Sequence, residues 1–563
     1  MNSYSTENAS ERKSWVGDIN NVGSKALKEA ILSSIPEEWA KCQTEGYIHI
    51  HDLEAYGLTY NCLALNHLGS FPYNRFIKAT QQRKIIYAFA YLRKVLEDLG
   101  NEQSGGMSFA NFDLEMSEIL QKLDIKLTEE NKEIISAAIG EFIDWANDCH
   151  TRMGQVSYYI TLNIGLGTDE YSRFISKTIL NEFQNAVQSY KPNIVFKVKD
   201  GVNAKEGDPN FDLLKQSLAC TSLKMIPTYL LCDSDTNKHV PAQEIAIMGC
   251  RTRVVADLYG KDTSIGRGNI CNITINLVRL ALESQDSTDP FNTFCNKWDY
   301  LANTTKDILI DRYIKLCQKK GCEFSVNNRL GLWLEPFTDD ENVEHIFKHG
   351  TLSIGFIGLS EAIEILTGKK FYEDEKSLKL AYGFVKHMRE FCDSLIEKYQ
   401  LNFSLLATSG EMISGSFLEK DQKRFTHKVM EKKFYTNSFH VNVDSQINSC
   451  RKLEIEGPFH SLTNGGCISY IEMKSSPSGN IEALLKLIQT ATSHGVSYLG
   501  FNFPIDSCDD CNHKGIINGT CPVCGSSSIT RIRRVSGYLE NLSFFTAGKR
   551  NEEMHRLPNK MEV

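Results

Sequence analysis

Helical and extended patterns alternate along most of this 563-residue chain, and that alternation limits what it can fold into more than any other feature. From Arg83 to Leu99, apolar residues recur at Ile85, Phe89, Leu92, Leu96 and Leu99, and Gly100 stops the run. This predicts an amphipathic helix ended by a glycine. A second such helix is predicted from about Leu378 to Tyr399. Between the helical stretches stand short segments rich in β-branched and aromatic residues: "NIVFKVK" from Asn193, "ITINLV" from Ile273, "CISYIEM" from Cys467 and "YLGFNF" from Tyr498. The alternation favours a mixed α/β fold around a largely parallel sheet or barrel.

A hydrophobic content of 41% suits a globular chain with a sizeable core. No window approaches the roughly 20 apolar residues of a membrane span. The polar start "MNSYSTENASERKSWVGDIN" lacks the apolar region of a secretory signal. A net charge of −8 argues against a protein that coats nucleic acid. Seventeen cysteines, mostly single and among apolar neighbours, read as reduced thiols of a cytoplasmic protein.

Cysteine density rises after Phe503. In "CDDCNHKGIINGTCPVC", Cys508, Cys511, Cys521 and Cys524 form two Cys-x-x-Cys pairs nine residues apart. Each pair can clamp one side of a tetrahedral ion, and four sulfurs leave no open position, so the expectation is structural zinc. His513 is not needed as a ligand. A zinc ribbon can also mark a nucleic-acid binding module, and "TRIRRV" supplies Arg531, Arg533 and Arg534. The ribbon's Asp506, Asp509 and Asp510 oppose that reading. Just beyond, Gly537 stands in "RRVSGYLENL", where its simplest role is a turn.

The order of cysteine quartet, "RRVSGYL" and "FFTAGKRNEEMHR" resembles the C-terminus of the anaerobic, class III ribonucleoside-triphosphate reductases, which are glycyl radical enzymes. The resemblance extends through "YIHIHDLEAY" from Tyr47, "YNCLALNH" around Cys62, "EQSGGMSFANFD" from Glu102 and "GQVSYYITLNIGLG" from Gly154. It continues in "KDGVNAKEGDPNFDL" from Lys199, "IMGCRTRV" around Cys250, "GRGNI" from Gly266, "YTNSFHV" from Tyr435 and "LTNGGCISYIEM" from Leu462. It implies a ten-stranded α/β barrel with a finger loop over residues 46–502, after a short extension at 1–45, and a zinc ribbon with a glycyl radical loop at 503–563. The extension is too short for the nucleotide-binding domain that precedes the core in many relatives, so overall inhibition by dATP is not expected.

The resemblance also implies roles. Gly537 would store an unpaired electron on its Cα, installed by a radical-SAM activating enzyme. Cys250 would take the radical as a thiyl and abstract the 3′ hydrogen of a ribonucleoside triphosphate, with Cys62 as the second thiol. For the reductant, the favoured reading is formate with Asn269; a thioredoxin-like dithiol acting through Cys250 and Cys271 competes. On a regular strand Asn269 and Cys271 share a face, so periodicity does not choose between them. Thr408, Ser409 and Gly410, in "LLATSGEMISGSF", would offer backbone amides to phosphates at a helix N-terminus, and "LTNGG" is a second candidate. His49 and His51 have metal-like spacing but read as structural. A homodimer with dNTP or ATP specificity effectors is implied, with the helix near Arg83 as candidate dimer face. A glycyl radical lyase is the rival enzyme reading; its pyruvate-cleaving members use adjacent cysteines, which this chain lacks.

Overall fold

The computed structural model describes residues 3–5, 10–12, 14–66, 71–147, 159–186 and 190–561. The first residues of the "GQVSYY" motif and His67 of "YNCLALNH" lie outside them. Eleven strands form the central sheet. In chain order they are β1 (Ile48–Ile50), β2 (Cys62–Ala64), β3 (Met107–Phe109), β4 (Ile160–Ile164), β5 (Asn193–Val198) and β6 (Thr228–Leu231). Then come β7 (Arg267–Asn276), β8 (Thr351–Ile357), β9 (Asn402–Ala407), β10 (Ser469–Glu472) and β11 (Tyr498–Asn502).

Ten of them follow one path, β9-β8-β7-β2-β3-β4-β5-β6-β11-β10, and β1 pairs with β7 off that path. Ten strands thus follow the path, and β1 is an eleventh beside it. Strands β2 to β6 run parallel, as do β7 to β9 and the pair β10 and β11. The two sets meet antiparallel at β7–β2 and β6–β11. The path returns on itself: Leu406 of β9 bridges Gly466, just before β10, and the Gly465 N–H donates to the Leu405 carbonyl at 2.9 Å.

Helices cover the outer face. The helix expected from Arg83 spans Gln81–Leu99, begun by the Thr80 hydroxyl accepting from the Arg83 N–H, and buries Ile85, Phe89, Leu92, Leu96 and Leu99 along one stripe. The helix expected near Leu378 spans Glu375–Tyr399, capped by Asp374. In β5, Ile194, Phe196 and Val198 join the main core, whereas the alternate positions Asn193 and Lys197 reach chain inside the ring. A strand buried on both faces is expected to be apolar throughout. Here two of the three inner positions are polar, with Val195 between them, and their side chains bond the backbone of another segment that lies against that face.

Candidate active site

That segment turns back as a short hairpin in which Ile247–Met248 pairs with Thr252–Arg253, leaving Gly249, Cys250 and Arg251 at its tip. Gly249 has a φ of +57°, a backbone that favours glycine. The hairpin lacks neighbours in the large sheet, so inward side chains satisfy its polar groups. Thr161 Oγ1 and Asn193 Nδ2 donate to the Gly249 carbonyl at 3.3 and 3.2 Å. Asn163 accepts from the Ile247 N–H at 3.1 Å and donates to its carbonyl at 3.2 Å, where Ser108 Oγ also donates at 2.8 Å. From the other half of the ring, the Gly465 carbonyl accepts from the Arg253 N–H at 2.9 Å. Leaving any one of these buried groups unpaired would cost about 1–3 kcal/mol.

A second hairpin comes from the C-terminal region. Strands Ile505–Cys508, Lys514–Gly515, Ile529–Arg534 and Leu539–Asn541 form a separate four-stranded antiparallel sheet. Its last two strands are joined by a tight turn closed by the Val535 N–H donating to the Tyr538 carbonyl at 3.0 Å. Gly537 is in this turn, but its φ is not left-handed, so backbone conformation does not explain the glycine. Space does: a Cβ there would lie 2.1 Å from the Cys250 carbonyl oxygen and 2.4 Å from both Cys250 Cα and Cβ. Two hairpin tips, far apart in sequence, therefore meet inside the ring with no room for a side chain. The Tyr470 hydroxyl donates to the Ser536 carbonyl, the Ser536 hydroxyl donates to Glu411, and Arg534 Nη1 donates to the Gly537 carbonyl at 3.1 Å.

The cysteine quartet sits at the far end of the same small sheet. The sulfurs of Cys508, Cys511, Cys521 and Cys524 lie within 4.8 Å of one another, with Cys508–Cys524 and Cys511–Cys521 each at 3.5 Å. A tetrahedron with sulfurs about 2.3 Å from a central zinc has edges of about 3.8 Å, so the four fit one such ion. Among the described residues no other His, Cys, Asp and Glu group has metal-ligand geometry. His49 and His51 stack edge to face at 4.6 Å, and His51 Nε2 meets Thr274 Oγ1 at 2.8 Å. The cations of "TRIRRV" are engaged internally. Arg533 pairs with Asp506 at 2.7 Å and Glu553 at 2.9 Å, Arg534 is buried, and Arg531 Nη2 donates to the Ile517 carbonyl at 3.3 Å.

Cys62 and Cys250 line one cavity together with Thr408, Ser409, Glu411 and Tyr538. Cys62 Sγ accepts from the Gly106 N–H at 3.2 Å and donates to Asn61 Oδ1 at 2.8 Å; burial pushes its thiol up to about 12. Burial, and after it the Glu411 carboxyl, push the Cys250 thiol up, and that thiol donates to Ser409 Oγ at 3.4 Å.

Asn269 lies directly opposite Cys62 across the β7–β2 ladder. Its Nδ2 is within donor range of Thr351 Oγ1 at 3.1 Å and Ser353 Oγ at 2.9 Å, both on the inner face. The regular-strand expectation for Asn269 and Cys271 does not hold. The ladder slips between them, Asn269 facing Thr351 and Cys271 facing Leu352. Such a bulge puts them on opposite faces, and Cys271 is buried in the outer core with Ile273 and Ile275.

The phosphate segment also differs from expectation. The helix after it begins only at Ile413, without a side-chain cap, so residues 408–410 are not its N-terminus. The Gly410 N–H already donates to Asn437 Oδ1 at 2.7 Å, and Thr408 Oγ1 meets Thr274 Oγ1 at 2.9 Å. In "LTNGG", a Cβ on Gly466 would lie 2.1 Å from the Arg251 carbonyl, so the close approach there is to the finger hairpin. Sequence reasoning passed over Gly106, whose Cβ would meet Gly249 at 2.9 Å, and Glu411, which meets the glycine loop through Ser536. The double glycine in "EQSGGMSF" was the available signal for the first; nothing local marks the second.

The whole chain, with its sheet of two opposed parallel sets, shares the fold of solved anaerobic ribonucleotide reductases. The Thermotoga maritima enzyme, in its crystal structure with dATP and CTP, superposes with a TM-score of 0.72 at 16% identity, covering 96% of this chain and 92% of that one. A sequence model of the anaerobic ribonucleoside-triphosphate reductase family matches residues 7–558, and the chain belongs to that family. The anaerobic ribonucleoside-triphosphate reductase of Haemophilus influenzae is 29% identical over 93% of this chain and 79% of its own length. That of Enterobacteria phage T4 is 28% identical over 95% and 93%. Among the described residues no helix is long and apolar enough to cross a membrane.

Proposed function

We propose that the chain reduces ribonucleoside triphosphates to 2′-deoxyribonucleoside triphosphates, with a glycyl radical stored at Gly537 and passed to Cys250. The observation that carries this reading is the contact between the two tips: Gly537 is buried against the backbone and Cβ of Cys250, where any side chain would collide. An unpaired electron on a glycine Cα is delocalised into the flanking amides, and a short path to one thiol is what such a store needs. Cys250 as thiyl would take the 3′ hydrogen of the ribose. Cys62, kept protonated by burial and lining the same cavity, suits the hydrogen or proton donor as water leaves.

Formate is the favoured reductant. Asn269 faces the inside beside Cys62, whereas Cys271, the thiol a dithiol pathway would pair with Cys250, is turned into the outer core. For the triphosphate, the candidates narrow to Thr408 and Ser409, since the Gly410 amide is occupied. Zinc held by Cys508, Cys511, Cys521 and Cys524 would brace the sheet that presents Gly537. A radical-SAM activating enzyme, nucleotide effectors of specificity and a second copy of the chain are the partners proposed, in the cytoplasm. For the dimer, the support is Ile86 on the helix Gln81–Leu99 and nearby Ile77, which are 58% and 70% exposed. A nucleic-acid module is disfavoured because the ribbon's arginines are taken by Asp506, Glu553 and backbone.

The test is an anaerobic EPR spectrum after incubation with a radical-SAM activase, S-adenosylmethionine and a reductant. A doublet in the wild type that is absent from Gly537→Ala, followed by formate-dependent NTP reduction, is the expected result. An equal signal from both proteins would remove Gly537 from the reaction.

A further inference from the structure

Arg251, beside Cys250 at the hairpin tip, is 1% exposed and lines the cavity that holds both thiols. Its Nη1 donates to the Ala407 carbonyl at 3.4 Å, but Nε and Nη2 have no hydrogen-bond partner in the protein. A guanidinium keeps its charge at any pH a protein survives. Leaving two of its donors buried and unpaired is costly unless a ligand takes them. The two free groups are neighbours on one edge of the fork, with parallel N–H bonds at the spacing of the two oxygens of a carboxylate. Within the protein the charged or ionisable neighbours of Arg251 include Tyr470, the Cys250 thiol beside it and Glu411, whose Oε1 is occupied by the Ser536 hydroxyl.

We infer that the Nε/Nη2 edge of Arg251 is the receptor for the carboxylate of the reductant, holding formate beside the Cys250 thiol. The inference rests on the formate reading given above. A triphosphate fits this edge less well. It carries several negative charges, and Arg251 is the one Lys or Arg among the described residues lining the cavity. The segment proposed for phosphates, Thr408 and Ser409, is a separate part of the wall.

The experiment titrates 13C-formate by NMR into the unactivated full chain, which needs no radical, using wild type, Arg251→Gln and Arg251→Lys with their folding checked by circular dichroism. Formate affinity should fall at least tenfold in Arg251→Gln, and several-fold in Arg251→Lys, which keeps the charge and loses the parallel edge. In the activated enzymes the KM for formate should rise by the same factors, while the KM for the nucleotide stays within twofold and the Gly537 doublet persists. Unchanged formate affinity in the variants overturns the inference, as does a rise confined to the nucleotide KM, which would make Arg251 a phosphate ligand. If Arg251→Gln does not fold, Arg251→Lys decides alone. Failure of the formate reading itself is seen in wild type, as turnover that needs a dithiol and ignores formate, and the inference then falls with it.

Discussion

At the scale of single residues, the contact between Gly537 and Cys250 lets the proposed storage of the radical and its proposed use be tested apart. Cys250→Ser should leave the Gly537 doublet at wild-type intensity, because the change keeps the backbone that Gly537 packs against, and should abolish turnover. Residual turnover above about one part in a hundred, roughly 2.7 kcal/mol of lost transition-state stabilisation, would remove the thiyl role. Asn269 and Cys271 give the second residue-scale expectation. Cys271→Ala should leave formate-dependent turnover within twofold, since that thiol faces the outer core. Asn269→Ala should lower turnover sharply and cost about 1–3 kcal/mol of stability by leaving Thr351 and Ser353 short of a partner. Equal losses from both variants, measured under anaerobic conditions, would contradict the bulge. The cysteines and Gly537 were legible because reactive residues carry family motifs. The face of Asn269 was not, because a one-residue slip in a ladder depends on the partner strand and leaves no mark in the sequence.

At the scale of elements, amphipathic helices were readable to within a few residues. Gln81–Leu99 and Glu375–Tyr399 carry both a stripe and a capping residue. The strands were harder. β2 and β3 are three residues long and buried throughout, too short to show a period, and β7 begins six residues before the apolar run that signals it. Helix Ala547–His555 supplies a test of how the radical loop is seated. Gly548 crosses Gly415 so closely that a Cβ on Gly548 would lie 2.7 Å from the opposing backbone. Gly548→Ala should cost about 1–3 kcal/mol in thermal unfolding and reduce radical yield together with it. The ribbon gives another expectation: metal analysis should find one zinc per chain, and replacing all four cysteines should abolish radical formation while the barrel retains its helical circular dichroism. A normal radical yield in that variant would show that the ribbon does not position Gly537.

At the scale of the whole molecule, buried thiols make a separable contribution to alkaline stability. Burial pushes Cys62, Cys220, Cys232 and Cys392 each up to about 12 from an ordinary 9.0. Below pH 9 the folded and unfolded chains both hold these protons and the stability is fully present. Above it only the unfolded chain ionises, so stability falls as pH climbs toward 12. Near pH 10.5 the loss should be on the order of 2 kcal/mol per thiol. Buried Lys197 and Lys224, both held down to about 8, act in the opposite sense, so the thiols are read by difference: between about pH 9 and 11 in reductant the thermal midpoint of a Cys220→Ala, Cys392→Ala protein should fall less, or rise more, than that of the wild type. Alternation alone indicated an α/β molecule. The closing of the sheet was not visible, because Leu406 and Gly466 meet through backbone atoms that any residues could supply. The closed ring and its two tips also bear on access to Gly537. While the C-terminal hairpin is seated, Gly537 is buried and a second macromolecule has no route to its Cα. If Gly537 is loaded by a second enzyme, as proposed, the hairpin would have to withdraw, breaking the contacts of Ser536 with Glu411 and Tyr470, and return for catalysis. On the proposed function the same insertion would work as a turnstile, admitting an activating enzyme when withdrawn and allowing nucleotide reduction when seated.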